Sequence, residues 1–175
     1  MSASGYDSTS HDLTGAWRTA RGYLALDAGF SATRDAGTPA LPMDIRYVES
    51  DQYTFELDGG RLSLRASTLS VEHMMDNFTL RPPPLTPMGM PNYRQSDPRG
   101  DTDTAAVVWE LEQAGWELAL GADADWESHT GRITDPTNAR YYIDNFNDVD
   151  RDRAGLFGNL TRAAGAWEVE AGLRY

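Results

Sequence analysis

The run from residue 116 to residue 126 limits the fold more than any other part of this sequence. Apolar side chains occupy six consecutive even positions in it: Trp116, Leu118, Leu120, Ala122, Ala124 and Trp126. A period of two puts these side chains on one face of a β-strand. Similar runs cover residues 11–18, 23–33, 53–57, 62–71, 105–111, 151–163 and 166–175. No stretch keeps a helical period, so the sequence predicts an all-β fold of about eight strands.

The connections between these strands alternate in length. Short turns are expected near residues 20, 59, 114 and 164, and Asp58-Gly59-Gly60 is a strong hairpin signal. Long loops are expected at 34–50, 82–101 and 128–150. The second of these is too rich in proline and glycine for a central strand. Strict alternation of short turns and long loops is typical of outer-membrane barrels. Strands of about 9–13 residues also suit a tilted membrane span. We therefore expect an antiparallel up-and-down meander over residues 1–175, part of a transmembrane β-barrel.

Composition excludes several functional classes. The net charge of −12 argues against binding to nucleic acid or to anionic lipid through a basic patch. The absence of cysteine removes disulfides, zinc-thiolate sites and cysteine nucleophiles from this chain. Three glutamates on one hairpin (Glu110, Glu112 and Glu117) have no base or nucleophile beside them, so no enzyme is predicted. The N-terminal residues 1–10 are polar and lack the pattern of a signal peptide, so either the protein is cytosolic or the chain is a piece of something longer.

A candidate metal site lies in the segment VEHMMDNFTLR, residues 71–81. His73 and Met75 are two residues apart, so in a strand both side chains point to the same face. Imidazole with thioether suits copper, Cu(I) above all. The alternative is that both are ordinary strand residues. Met88 and Met90 form a second soft pair, either a secondary metal contact or a flexible apolar loop tip. His11 and His129 are isolated in the sequence and are assigned no role.

The phase of the alternation changes within the strand that carries this motif. Leu62, Leu64 and Ala66 are in one phase, while Leu69 and Val71 are in the other. A β-bulge between Arg65 and Thr68 would explain the change. His73 and Met75 share parity with Leu69 and Val71, which would then face lipid. A second bulge, or a strand that rises above the membrane, is needed to turn His73 inward.

The segment 71–81 and the Asp58-Gly59-Gly60 hairpin before it resemble the barrel of TonB-dependent outer-membrane receptors, and most of all the copper receptor group. This resemblance implies location in the bacterial outer membrane, in contact with lipid. It also implies a barrel of about 22 strands around a plug domain, with energy supplied by TonB. His73 and Met75 would provide two copper ligands, and a cysteine and a methionine of the plug would complete the site. Copper is then the transported cargo, and no resident cofactor is expected.

The chain departs from that family in lacking a plug, a TonB box and the cysteine. Other interpretations therefore stay open. The same barrel would serve a receptor for zinc, cobalamin or a siderophore, the last of these a metal chelate. A complete eight-stranded outer-membrane protein with a structural or adhesive role is a second class. A soluble β-sandwich binding module is a third.

Overall fold

A computed structural model of the chain describes residues 5–175. The regular elements of that range are eight β-strands. They are β1 (Asp7–Thr19), β2 (Gly22–Ala36), β3 (Asp44–Asp58), β4 (Leu62–Asp76), β5 (Gln95–Gln113), β6 (Trp116–Thr134), β7 (Tyr142–Ala164) and β8 (Trp167–Arg174). Of the polar segment 1–10, residues 7–10 belong to β1, and residues 1–4 lie outside the described range. No helix long and apolar enough to cross a membrane occurs between residues 5 and 175.

The eight strands form one antiparallel sheet in sequence order, β1 to β8. This is the predicted up-and-down meander. β1 and β8 are the two edges of the sheet, which is therefore open, as expected for part of a barrel. Because successive strands run in opposite directions, the loop at 77–94 and the turn at 114–115 lie at opposite ends of the strands. We call these ends the loop rim and the turn rim, and their separation is what an up-and-down meander requires.

The two faces of the sheet differ in chemistry. Residues directly opposed on neighbouring antiparallel strands share a face. One line of such partners on the apolar face is Leu26, Phe55, Ala66, Ala105, Ala124 and Ala154. The predicted set Trp116, Leu118, Leu120 and Ala122 lies on this same face by the register of β5 with β6. The next line, on the polar face, is Asp27, Thr54, Ser67, Thr104, Asp125 and Arg153.

No second layer covers the apolar face within residues 5–175. Ala25 is the one buried hydrophobic side chain in that range, while Trp167 is 78% and Leu173 is 80% exposed. An apolar surface of this extent indicates contact with lipid or with another protein. On β6 the apolar band ends at Trp126, eight residues before the strand itself ends. On β6 the residues beyond Trp126 are therefore mostly polar on both faces.

The turns show that the strands are staggered. Trp17 in β1 and Leu156 in β7 lie on one line of cross-strand partners, which runs through Leu24, Leu57, Leu64, Val107 and Ala122. The β1–β2 turn begins three residues after Trp17, at Ala20, whereas the β7–β8 turn begins nine residues after Leu156, at Gly165. This offset is about 20 Å along the strands across roughly 29 Å of sheet, a slope of about 35°. Strands of membrane barrels tilt by about 35–45°.

The connections at the loop rim are shorter than the sequence predicted. Residues 37–43, 77–94 and 135–141 form them, in place of 34–50, 82–101 and 128–150. The prediction that no part of 82–101 forms a central strand was wrong for residues 95–101, which belong to β5. Apolar and polar residues do not alternate in these strand ends. They pair through backbone hydrogen bonds and through polar cross-strand contacts such as Ser31 with Ser50 and Arg99 with Glu72.

The predicted bulge between Arg65 and Thr68 is also wrong. The register of β4 with β3 and with β5 is continuous through that segment. The register of β4 does not shift at Leu69 and Val71. The apolar positions change parity because these two side chains lie on the polar face, where they line a cavity. An irregularity occurs instead between Ile45 and Tyr47, at the start of β3. His73 consequently needs no bulge to reach the polar face.

Candidate metal site at the loop rim

His73 and Met75 lie within the last four residues of β4, next to the loop rim. His73 pairs with Val48, and Met75 pairs with Ile45 across the irregularity of β3. Their spacing of two residues places both side chains on the polar face, which is the face opposite Trp116 and its apolar neighbours. Met74, between them, lies on the other face. The two side chains therefore share one face of the strand, as their spacing predicts.

His73 lines a cavity of about 330 Å³ between β4, β5 and β6. Leu69 and Val71 form one wall, while Pro98, Thr102 and Phe146 contribute to the others. The pairing of β4 with β5 is interrupted here: Glu72 pairs with Arg99 and the next pair is Met75 with Ser96. Proline has no N–H to donate, so the break falls where Pro98 stands opposite His73.

The environment of His73 favours its neutral form. Burial against these apolar walls lowers the pKa of His73, and the negative charge of Asp97 opposes that shift. On β4 the apolar band ends before this level, because Ser70 and Glu72 follow Ala66 and Thr68 on that face. His73 therefore lies beyond the apolar band, on the side of the loop rim. A neutral imidazole is the form that binds a metal ion.

Met75 and the loop methionines are placed differently from His73. Met75 lies one step closer to the loop rim, with Ser96 as its partner on β5, and it does not line the 330 Å³ cavity. Met88 is 82% and Met90 is 55% exposed at the tip of the 77–94 loop. A tight turn presents them: Gly89 has a φ of +79°, and the Met90 N–H donates to Thr86 Oγ1 at 3.1 Å. Neither Met88 nor Met90 lines the cavity that His73 lines.

Two arginines bind the three loops of this rim together. Arg81 donates through Nε to Asp44 Oδ2 at 2.6 Å, and also to the carbonyls of Leu41 and Thr38 at 2.9 and 3.0 Å. Asp44 is completely buried, and its bonds with Arg81 hold the pKa of that carboxyl below its usual range, against the effect of burial. Arg94 donates to Asp135 Oδ2 at 3.2 Å, and its guanidinium lies 4.0 Å from the centre of the Tyr141 ring. The loops therefore form one connected layer at the loop rim.

Ion pairs cover the polar face on β6, β7 and β8. Arg174 bonds both oxygens of Asp123 at 2.7 Å, Arg153 Nε bonds Asp125 Oδ2 at 2.8 Å, and Arg151 bonds Glu127. These acids alternate along β6 with the apolar residues of the opposite face. The polar face is thus a charged surface below the loop layer, as the inner wall of a water-filled or plugged barrel requires.

His129 is the residue near His73 that reasoning from the sequence missed. It lies on β6 at the same parity as Asp125 and Glu127, and it lines the same cavity as His73. Residues 128–150 were expected to be a loop, so no strand parity was applied to His129. The glycine opposite it on β5, Gly100, was the available signal. No group of three or more histidine, aspartate or glutamate side chains within residues 5–175 is arranged to hold a metal ion.

Comparisons with known proteins agree with this architecture. Residues 2–175 match the family described as TonB dependent receptor-like, beta-barrel. A solved structure named "Copper transporter OprC" superposes with a TM-score of 0.77 at 22% sequence identity. The match covers 97% of this chain and 28% of that one, so the chain spans little more than a quarter of the neighbour's length. No curated protein sequence matches. The chain therefore belongs to the family of TonB-dependent receptor β-barrels.

Proposed function

We propose that this chain forms part of the wall of a bacterial outer-membrane receptor that takes up a metal ion, with copper as the cargo. The observation that carries the proposal is the position of His73 and Met75. They share the polar face at the loop rim, where an ion that enters from outside first meets the inner wall. Thioether with imidazole is a donor set for Cu(I) and a poor one for zinc. The name of the structural neighbour, a copper transporter, supports the same cargo.

The proposed partners follow from family membership. A plug domain inside the barrel would supply the remaining ligands, because His73 and Met75 alone give weak binding. TonB would supply the energy for release, and outer-membrane lipid would cover the apolar face. The role is binding and transport without catalysis. Met88 and Met90 are a secondary contact in this proposal, since their exposed sulfurs stand at the tip of the longest loop.

The decisive experiment measures bound Cu(I) per protein in the full-length receptor that carries this chain, purified in detergent under reducing conditions. We expect His73→Ala and Met75→Ala each to lower the copper content. Met74→Ala is the matched control, because Met74 is the adjacent methionine and faces the opposite side of the sheet. Its copper content should equal that of the parent protein.

Full copper content in both the His73 and the Met75 variants would refute the assignment of copper to this motif. A siderophore, cobalamin or zinc would then have to be tested as cargo. For the loop pair, Met88→Leu with Met90→Leu should slow copper uptake at low copper concentration and leave the copper content at saturation unchanged. Unaltered uptake would show that these two methionines are only an apolar loop tip.

A further inference from the structure

Arg162 is a charged side chain on the apolar face, next to the turn rim. It pairs with Trp116 on β6 and with Val169 on β8, so it shares their face. Between the line of partners from Leu26 to Ala154 and the turn rim, the strands of residues 5–175 place no other charged side chain on this face. Arg162 is exposed. Its guanidinium is therefore an isolated positive charge in an apolar surface.

The counter-charge of Arg162 has to come from outside the sheet. The nearest acids in the register, Glu117, Glu168 and Glu170, alternate with apolar residues of β6 and β8 and point to the polar face. The guanidinium carbon of Arg162 lies 4.7 Å from the centre of the Trp116 ring. The side chain thus leans toward β6, away from the open edge of the sheet at β8. Both strands beside β7 are described, and neither offers an acid on this face.

The length of the apolar band on β7 gives the level of Arg162 in a bilayer. On this face the band is bounded by Asp152 toward the loop rim and by Arg162 toward the turn rim. At about 3.4 Å per residue and a slope of about 35°, the two lie about 28 Å apart in height, and the apolar band of membrane barrels is about 25 Å tall. Their partners on β6 are Trp126 and Trp116, as expected for aromatic girdles. Arg162 therefore lies at the level of the lipid headgroups, outside the hydrocarbon.

The other end of the band has no such isolated cation. Three arginines of the described strands lie on the apolar face beyond the band, on the side of the loop rim, and each forms an ion pair with an acid of a neighbouring strand. The pairs are Arg34 with Glu49, Arg99 with Glu72 and Arg132 with Asp144. The cation that needs an anion is thus on the side of the turn rim.

We propose that Arg162 and Trp116 bind the phosphate of an anionic phospholipid in the leaflet at the turn rim. Guanidinium presents a planar fork of N–H donors that matches a phosphate, and the stacked indole covers only its face. Tryptophan favours this level because its ring is apolar and its N–H is polar. A zwitterionic headgroup carries its own ammonium group, so an anionic lipid neutralises Arg162 better. The inference rests on the proposed function only in that lipid covers the apolar face.

The test uses the full-length receptor that carries this chain, reconstituted into nanodiscs with equal amounts of phosphatidylglycerol and phosphatidylcholine. After mild extraction into detergent, native mass spectrometry gives the ratio of the two lipids among receptors that retain one lipid. We expect this ratio to fall about fivefold in Arg162→Gln, the effect of one arginine at an anionic surface. Arg162→Lys keeps the charge without the fork, so its ratio should lie between those of the parent and the glutamine variant.

Arg18→Gln is the matched control. It removes the same charge at the same rim, but Arg18 follows Trp17 on β1 and points to the polar face. Its lipid ratio should equal that of the parent receptor. An unchanged ratio in Arg162→Gln would overturn the inference and point to a protein partner for this cation. An equal fall in Arg18→Gln would also overturn it, because net charge and not position would then set the ratio.

The same samples separate this inference from the proposed function. Copper content should be equal in the parent and in Arg162→Gln, because Arg162 lies on the other face and at the other rim from His73. A parent receptor that does not enter the nanodisc would refute lipid as the cover of the apolar face. A receptor that enters the nanodisc and gives an unchanged ratio in Arg162→Gln refutes the phosphate site alone.

Discussion

Replacement of Arg81 by methionine should open the loop rim. Among residues 5–175, Arg81 is the one cation within ion-pair distance of the buried carboxylate of Asp44, and it also donates to the carbonyls of Thr38 and Leu41. Methionine keeps much of the length of the side chain but has no donor. The Asp44 carboxylate would then be completely buried with only Thr38 to bond it.

The size of the effect follows from the burial of Asp44. A buried ion pair that loses one partner costs about 3–5 kcal/mol, because the remaining charge is left without compensation. The side chain of Arg81 is 21% exposed, so the pair is only partly buried and the lower end applies. A loss of about 3 kcal/mol raises the population of the open loop on the order of 100-fold. The sheet below should keep its stability, since the contact lies outside the strand ladders.

Hydrogen exchange of the backbone amides reports this opening directly. The Thr38 N–H donates to Asp44 Oδ1 at 2.7 Å, so its exchange should accelerate on the order of 100-fold in Arg81→Met. In the double variant Asp44→Asn with Arg81→Met, the uncompensated charge is gone. Exchange should return to within about tenfold of the parent protein, because only uncharged hydrogen bonds are then missing. A double variant that exchanges faster than Arg81→Met would refute the reasoning.

The same contact predicts a dependence on pH. The pKa of Asp44 in the folded chain is lower than its ordinary value of 3.8, so the unfolded form binds a proton first as the pH falls. The stabilisation is therefore complete well above pH 3.8. It is lost as the pH falls below that value and through the lowered pKa. Exchange of the Thr38 amide should stay constant between about pH 5 and 7 after correction for the intrinsic rate, and rise below about pH 4.

Three further substitutions test other parts of the structure. Leu120→Arg on the apolar face should cost about 2–4 kcal/mol in a denaturation assay in lipid, whereas Ala119→Arg on the polar face should cost far less. Gly121→Ala should destabilise the sheet by about 1–3 kcal/mol. Its Cβ would lie 2.1 Å from the ring of Phe157, and Phe157→Ala should restore tolerance. Asn77→Ala should loosen the base of the 77–94 loop and expose it to protease, because Asn77 bonds the Asn92 carbonyl and the Arg94 N–H at 2.9 Å. Equal stability of the two arginine variants, an undisturbed Gly121→Ala sheet or an unchanged protease pattern would contradict these expectations.

The sequence was sufficient to predict the strands that cross the apolar band and the turns between them. Alternation identifies a strand when one face is apolar, as at Trp116 and Leu118, and Gly60 with a φ of +83° supplies the turn that the glycines predicted. It was not sufficient above the band. There polar side chains occur on both faces and apolar ones do not alternate regularly, so residues such as Glu49 and Arg99 carry no pattern that separates strand from loop.

Prediction of the candidate site from the sequence met the same limit. The spacing of His73 and Met75 placed both on one face because it needs only the local geometry of a strand. To predict that His73 and His129 line one cavity, the register of three strands must be known, and two of these strands are polar at that level. Leu69 and Val71 were misassigned to lipid because an apolar side chain that lines an inner cavity is indistinguishable in sequence from one that faces a membrane.

The strictly sequential order of the strands has a consequence for how such a wall is made. Each strand pairs with the next one along the chain, so the contact order is low and every pairing closes a short segment. Simple β-hairpins form in about 1–10 μs, and here each completed hairpin adds its own part of the apolar face. A hairpin gained or lost by duplication or deletion would change the width of the wall by two strands. The register of the remaining pairs would be kept, so the barrel can change its circumference in evolution without being redesigned.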